Sequence, residues 1–381
     1  MNHKYSRSYK DYIDERITKA SRNYKMNLPT YALSALAHYG RPLWVGFGNI
    51  ESEYIRKKID NIKLGQAVYV SGLARSGTTV ILNFLHETGA FGSLTYRHYP
   101  FIYFPYIWHK IMGISKNTEQ QERTHFDRIK VNIDSPEALE EPIWRYFFPS
   151  SFEQETGYPP GEETSNPKFE KYYADIIKKV LLTSGKENYL AKGNYNLARI
   201  AYILKNNERA KFVLCVREPL SHIASLIKQH YLFTKIEEKD SRLLNYMEWI
   251  GHKEFGLNRH PVYLGAPEEY ERIINHWEKG EEIEGWARQW KYTYDFLYKG
   301  VLQDPALAER IYLLRYEELC AHPHEELEKL IQFCDIGQPS NLKETAQNIS
   351  PPDYYSLPFS NQEKQVISGI TDKTRALIYE H

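Results

Sequence analysis

Cysteine is scarce: Cys215, Cys320 and Cys334 are the only three, and their spacing fits neither a zinc site nor a disulfide framework. A reducing compartment is the simpler setting, so the cytoplasm is expected. Net charge is also missing. Lys plus Arg and Asp plus Glu each number 49, so no global field recruits nucleic acid or an anionic surface, and any anion site must be local. Nowhere do 18 uncharged apolar residues run together, which excludes a membrane-spanning helix. The opening "MNHKYSRSYKDYIDERITKASRNYK" carries acids and has no apolar core of a signal peptide. No His, Cys or carboxylate pairs have the spacing of metal ligands, so no metal is expected.

What is present suffices for one large or two modest globular domains: 381 residues, 42% of them hydrophobic and 26% charged. Tyrosine is abundant at 31, a ring with a polar tip that suits both sugar-lined clefts and half-buried surfaces. Residues 1–65 are charged and periodic and predict a helical extension packed on the main domain, with breaks at "NLPT" and "GRPL". Residues 66–381 predict the α/β domain. Its apolar β-rich runs are "QAVYVSGL", "NYLAKGN", "AKFVLCVRE" and "RIYLLRYEEL", separated by long helical stretches. Continuous apolar strands alternating with helices predict a P-loop-like three-layer α/β fold, a central parallel sheet of four or five strands with helices on both faces. Insertions are expected at about 151–187 and 235–280, and the irregular segment 251–270 is either a lid or a surface loop.

The most informative stretch is "YVSGLARSGTTVILNFLHETGAF", a buried strand, a glycine-bounded turn and a helix start. Gly72 and Gly77 are spaced as in a nucleotide-binding P-loop, but Thr78 stands where the triphosphate-binding lysine belongs. The anion cradle remains without its triphosphate handle. Backbone N–H groups, the hydroxyls of Ser76, Thr78 and Thr79, and the planar fork of Arg75 suit a compact phosphate or phosphosulfate. A second element, "FVLCVREPLSHIASLIKQH", ends a buried strand in Arg217 and carries Ser225 about two helical turns later, so both can converge on one phosphate.

With these two motifs the chain resembles the sulfotransferase superfamily over roughly residues 66–335. The resemblance implies 3′-phosphoadenosine 5′-phosphosulfate (PAPS) as donor and 3′-phosphoadenosine 5′-phosphate (PAP) as product. It implies that Arg75, Ser76, Gly77, Thr78 and Thr79 cradle the 5′-phosphosulfate and that Arg217 and Ser225 hold the 3′-phosphate. Such a donor needs neither a Mg²⁺ bridge nor a γ-phosphate handle, which accounts for the missing lysine. The family commonly places a lysine at the end of a second strand against the transferring group, and Lys192 in "YLAKGNYN" occupies that place.

In-line transfer to an alcohol also requires a base. The familiar cytosolic enzymes use a histidine two residues after that lysine, where this chain has Asn194. In glycan-type members a carboxylate follows the first helix. The corresponding "SLTYRHYPFIYFP" has none, and His98 is the expected base there, with Arg97, Tyr96 and Tyr99 as substrate contacts. Glu141 in "DSPEALEEPIWRYFFP" is the competing candidate. The same segments resemble bacterial enzymes acting on cell-surface polysaccharides and glycolipids, so the expected acceptor is a carbohydrate or glycolipid hydroxyl. The alternatives are a small alcohol or phenol, or a non-catalytic nucleotide-binding protein on the same fold. A P-loop kinase or ATPase would need a lysine at position 78.

Overall fold

The computed structural model describes residues 24–113, 121–122, 129–149, 159–349 and 359–380. The start of the extension, residues 1–23, and the start of the 151–187 insertion lie outside the described residues. In chain order the elements used below are α1 (Leu28–Tyr39), α2 (Arg41–Tyr54), β1 (Ala67–Gly72), α3 (Thr78–Glu87), β2 (Phe91–Ser93), α4 (Pro167–Ser184), β3 (Asn188–Lys192), β4 (Ala210–Val216), α5 (Pro219–Glu237), α6 (Ser241–Ile250), α7 (Glu282–Leu297), β5 (Ile311–Arg315), α8 (Pro323–Phe333) and α9 (Asn361–Tyr379).

The five strands form one sheet in the order β2-β3-β1-β4-β5, parallel throughout. Each side chain along β1 is buried, as a strand covered on both faces requires. Alternation divides its residues between two cores. Ala67 and Tyr69 join Phe212 and Leu214 under α4, α5 and α7, while Val68 and Val70 join Val213 and Cys215 under α3 and α8. The chain crosses from β3 on one side of β1 to β4 on the other. That places a topological switch at the C-terminal end of β1, where open α/β sheets bind ligands.

Ahead of the sheet, α1 and α2 meet at Gly40. The α1 rings of Tyr31 and His38 pack on Trp249 of α6, at 5.0 and 5.6 Å between centroids. Glu51 of α2 and Lys179 of α4 form a fully enclosed ion pair at 3.0 Å, and Lys179 also donates to the Gly48 carbonyl at 2.7 Å. Such a pair fixes how the helices dock, because removing either partner would strand a buried charge.

Candidate active site

The loop leaving β1 is shaped by three positive φ angles, 150° at Gly72, 73° at Arg75 and 101° at Gly77. A Cβ on Gly72 would lie 2.6 Å from the Cys215 carbonyl oxygen, and one on Gly77 would lie 2.9 Å from the Tyr316 ring. Only glycine fits either place. Arg75 is not glycine, and a left-handed arginine costs on the order of 1–3 kcal/mol that its surroundings must offset. They do so with hydrogen bonds. Its Nε donates to Ser225 Oγ at 3.3 Å, and its carbonyl accepts from Arg217 Nη1 at 3.3 Å. The two phosphate motifs, separated by 142 residues, therefore touch directly.

Arg217 is itself held from several sides. Its Nε donates to Ser221 Oγ at 3.1 Å, its guanidinium lies 4.7 Å from the Tyr316 ring centre, and its carbonyl accepts from Trp290 Nε1 at 3.1 Å. Beneath the loop, His222 Nε2 donates to the Ala74 carbonyl at 2.8 Å. Burial holds this imidazole near a pKa of about 3, so it is a neutral donor. Thr78 and Thr79 open α3, directing its first N–H groups into the cradle. The helix carrying Ser225 starts at Pro219, after Glu218. The Glu218 carboxylate accepts two 2.7 Å bonds from Arg375 of α9. Its N–H donates to Glu317 Oε1 at 3.1 Å, and Glu317 Oε2 accepts from Tyr379 at 2.9 Å.

Lys192, at the end of β3, joins the cradle to a carboxylate. Its Nζ donates to Thr79 Oγ1 and to Glu137 Oε1, both at 3.0 Å. Glu137 is placed by the β-bridge between Thr95 and Pro136. It also accepts from Tyr96 Oη at 3.1 Å and from the Ala138 N–H at 2.9 Å. Sequence reading passed over this residue, since a single bridge leaves no periodic signal.

Beyond Lys192 opens a narrow cleft lined in part by Glu140, Glu141, Asn194, His252 and Glu254. The irregular segment after α6 thus supplies part of its wall. Asn194 Nδ2 donates to Glu254 Oε1 at 2.9 Å. Glu140 is deeply enclosed, its Oε1 accepting from Tyr189 Oη at 2.6 Å and Tyr173 Oη at 2.8 Å. Burial pushes its carboxyl up to about 7.

Of the remaining expected residues, Tyr96 and Glu141 reach the site and the others fall elsewhere. His98 is 3% exposed, its Nδ1 accepts from the Thr95 N–H at 3.1 Å, and its ring centre lies 5.3 Å from that of His109. Burial lowers its pKa to about 3. It closes a capping box, and the described hydrogen bonds do not join it to Lys192 or the loop after β1, where the sequence reading expects a base. Arg97 is occupied by a two-pronged pair with Asp134, at 2.7 and 3.0 Å, and by the Met112 carbonyl. Tyr99 donates to Ser34 Oγ at 2.5 Å and anchors α1. Glu141 reaches the cleft but is clamped by Arg199 at 2.6 and 3.1 Å. Of the aromatic run, Phe101, Tyr103 and Phe104 are core.

Among the described residues no cluster of potential metal ligands occurs, and no helix is long and apolar enough to cross a membrane. The family model described as "Sulfotransferase domain" matches residues 66–376. No curated protein matches the chain. Among solved structures it is similar to sulfotransferase STF9 from Mycobacterium avium, at 14% identity over 97% of this chain and 90% of that one, with a TM-score of 0.49. It is also similar to sulfotransferase STF1 from Mycobacterium tuberculosis H37Rv, at 11% identity over 97% and 93%, with a TM-score of 0.46. A match spanning most of the chain, from the first strand into α9, places the protein in the sulfotransferase domain family, and it is a sulfotransferase.

Proposed function

We propose that this sulfotransferase moves the sulfuryl group of PAPS to a hydroxyl of a carbohydrate or glycolipid acceptor. The observation that carries the reading is the position of Lys192, whose one ammonium touches both the cradle threonine and Glu137. A cation between an anion cradle and a carboxylate is what transfer to an alcohol requires. The cradle fits a phosphosulfate: two glycines leave no room for a Cβ, two arginines meet there, and the Ser76 hydroxyl is buried without a hydrogen-bond partner.

When bound, the donor supplies the sulfuryl group and a bisphosphate leaving group. Arg75 and the loop N–H groups bind the 5′ phosphosulfate, and Arg217 with Ser225 holds the 3′ phosphate. Lys192 steadies the sulfuryl oxygens. Glu137 takes the acceptor proton as the acceptor oxygen bonds to sulfur. The bond from sulfur to the bridging phosphate oxygen breaks, and its electron pair leaves with PAP. The acceptor hydroxyl would approach Glu137 from the polar end of the cleft, where Asn194 and Glu254 stand.

Thermal stabilisation by PAP, compared with AMP and Mg-ATP, tests the donor site, because selective binding raises the melting temperature. A larger shift from Mg-ATP would overturn it. Transfer of radiolabelled sulfate from PAPS to oligosaccharides and glycolipids, but not to simple phenols, is the expected acceptor result; the reverse preference would replace the sugar with a small metabolite.

A further inference from the structure

Large apolar side chains at the surface are concentrated in one place. Among the described residues, all those markedly exposed except Ile111 and Leu257 lie on α1 and α2. Leu36, Tyr39, Leu43, Phe47, Ile50 and Tyr54 follow one another at steps of three or four residues. That spacing keeps them on one helical face. The face continues through the joint, because Gly40 N–H donates to the Leu36 carbonyl and Trp44 N–H to the Gly40 carbonyl, each at 3.0 Å. Leu43 is 63% exposed, Ile50 66% and Tyr54 81%. A soluble monomer rarely presents so long an apolar strip without a use for it.

The opposite sides of these helices are already employed. Ser34 and Tyr31 of α1 hold Tyr99 and Trp249, and Glu51 of α2 holds Lys179. Within the strip, Phe47 and Tyr39 keep an edge on the domain, their rings 5.6 Å from Phe104 and 5.8 Å from Trp249, while Leu43, Ile50 and Tyr54 project outward.

Charge indicates what covers it. From residue 26 to residue 50 the sequence contains no Asp or Glu. Exposed lysines stand at both ends, Lys25 before α1 and Lys57 and Lys58 after α2. Beside the latter two, Arg56 and Lys171 pair with Glu53, Asp60 and Asp175, and with Lys57 and Lys58 the cations at this end outnumber the acids by four to three. In a two-fold pairing with a second copy, either direction would bring a cationic end against a cationic end. Anionic lipid headgroups complement both ends at once, and the tyrosines suit the interfacial layer.

We infer that the α1–α2 face lies on an anionic bilayer surface, its leucines, Phe47 and Ile50 entering the acyl boundary. The chain is anchored by contact and does not span. The inference does not depend on the identity of the acceptor.

The test is flotation of the full chain with vesicles of phosphatidylcholine, with and without phosphatidylglycerol. Binding is expected only with the anionic lipid, weakening as salt is raised. The double substitution Leu43→Glu, Ile50→Glu should reduce the bound fraction at least about tenfold. Its circular dichroism, melting temperature and turnover of a water-soluble acceptor should match the parent. Lys25→Gln with Lys57→Gln should reduce the preference for anionic vesicles. No flotation of the parent chain, or flotation unaffected by the double substitution, would overturn the inference. So would a parent dimer that the double substitution splits without any vesicle binding, which would assign the face to a second copy.

Discussion

Lys192 Nζ stands 3.0 Å from Glu137 Oε1, linking the end of β3 to a residue outside the sheet. With Glu137 taking the acceptor proton, Glu137→Gln keeps the shape and removes the base. Turnover should fall on the order of 100-fold or more. PAP affinity, read by calorimetry, should stay within about threefold, since the role proposed for Glu137 is toward the acceptor and not the donor. Equal losses in both would make Glu137 a structural support for the lysine.

Arg217 serves the cradle twice, through its own fork and through the Arg75 carbonyl. Arg217→Ala should abolish the melting shift given by PAP. Arg217→Lys should restore little of it, since an ammonium cannot reproduce the two-directional donation to Ser221 and Arg75.

For His98, enclosed and neutral, His98→Gln should leave turnover within about twofold and lower stability by roughly 1–2 kcal/mol. The pH dependence has a definite sign. Unfolded imidazole takes a proton near 6.5, whereas folded His98 stays neutral until about 3. Between those values the unfolded state binds more protons, so stability is full above 6.5 and is lost as pH falls toward 3. Urea midpoints from pH 7 to pH 4 should decline less steeply in His98→Gln than in the parent.

Glu140 gives the opposite slope. Its folded carboxyl keeps its proton up to about 7, whereas the unfolded one releases it near 4.5. In that window the folded state binds more protons. Its contribution is present below 4.5 and is lost as pH rises toward 7. Glu140→Gln, which retains an acceptor for Tyr173 and Tyr189, should flatten this part of the melting curve against pH.

How far the sequence discloses such a molecule depends on how local the signal is. Four strands were readable as apolar runs, and β2 was not, being only the three residues Phe91–Ser93. The loop after β1 was readable because Gly72, Arg75 and Gly77 lie within six residues, and the two glycines follow from the backbone shape. The carboxylate beside Lys192 was not. Glu137 precedes the lysine by 55 residues and is aimed by one bridge to Thr95. His98 illustrates the converse: a titratable ring in a suitable stretch carries no mark of whether it faces solvent or core. Burial decided its chemistry, and burial belongs to the whole fold.

The grip of Arg375 on Glu218 also sets an order of assembly during synthesis. The helix that presents Ser225 begins beside Glu218, but its clasp lies 157 residues later. At about 5–20 residues per second, roughly 8 to 30 seconds of translation separate the two. The nascent chain can lay down its first strands and the cradle loop well before α9 leaves the ribosome. Until then Glu218 lacks Arg375 and Glu317 lacks Tyr379, so donor affinity should mature only once α9 has emerged and folded back onto the sheet.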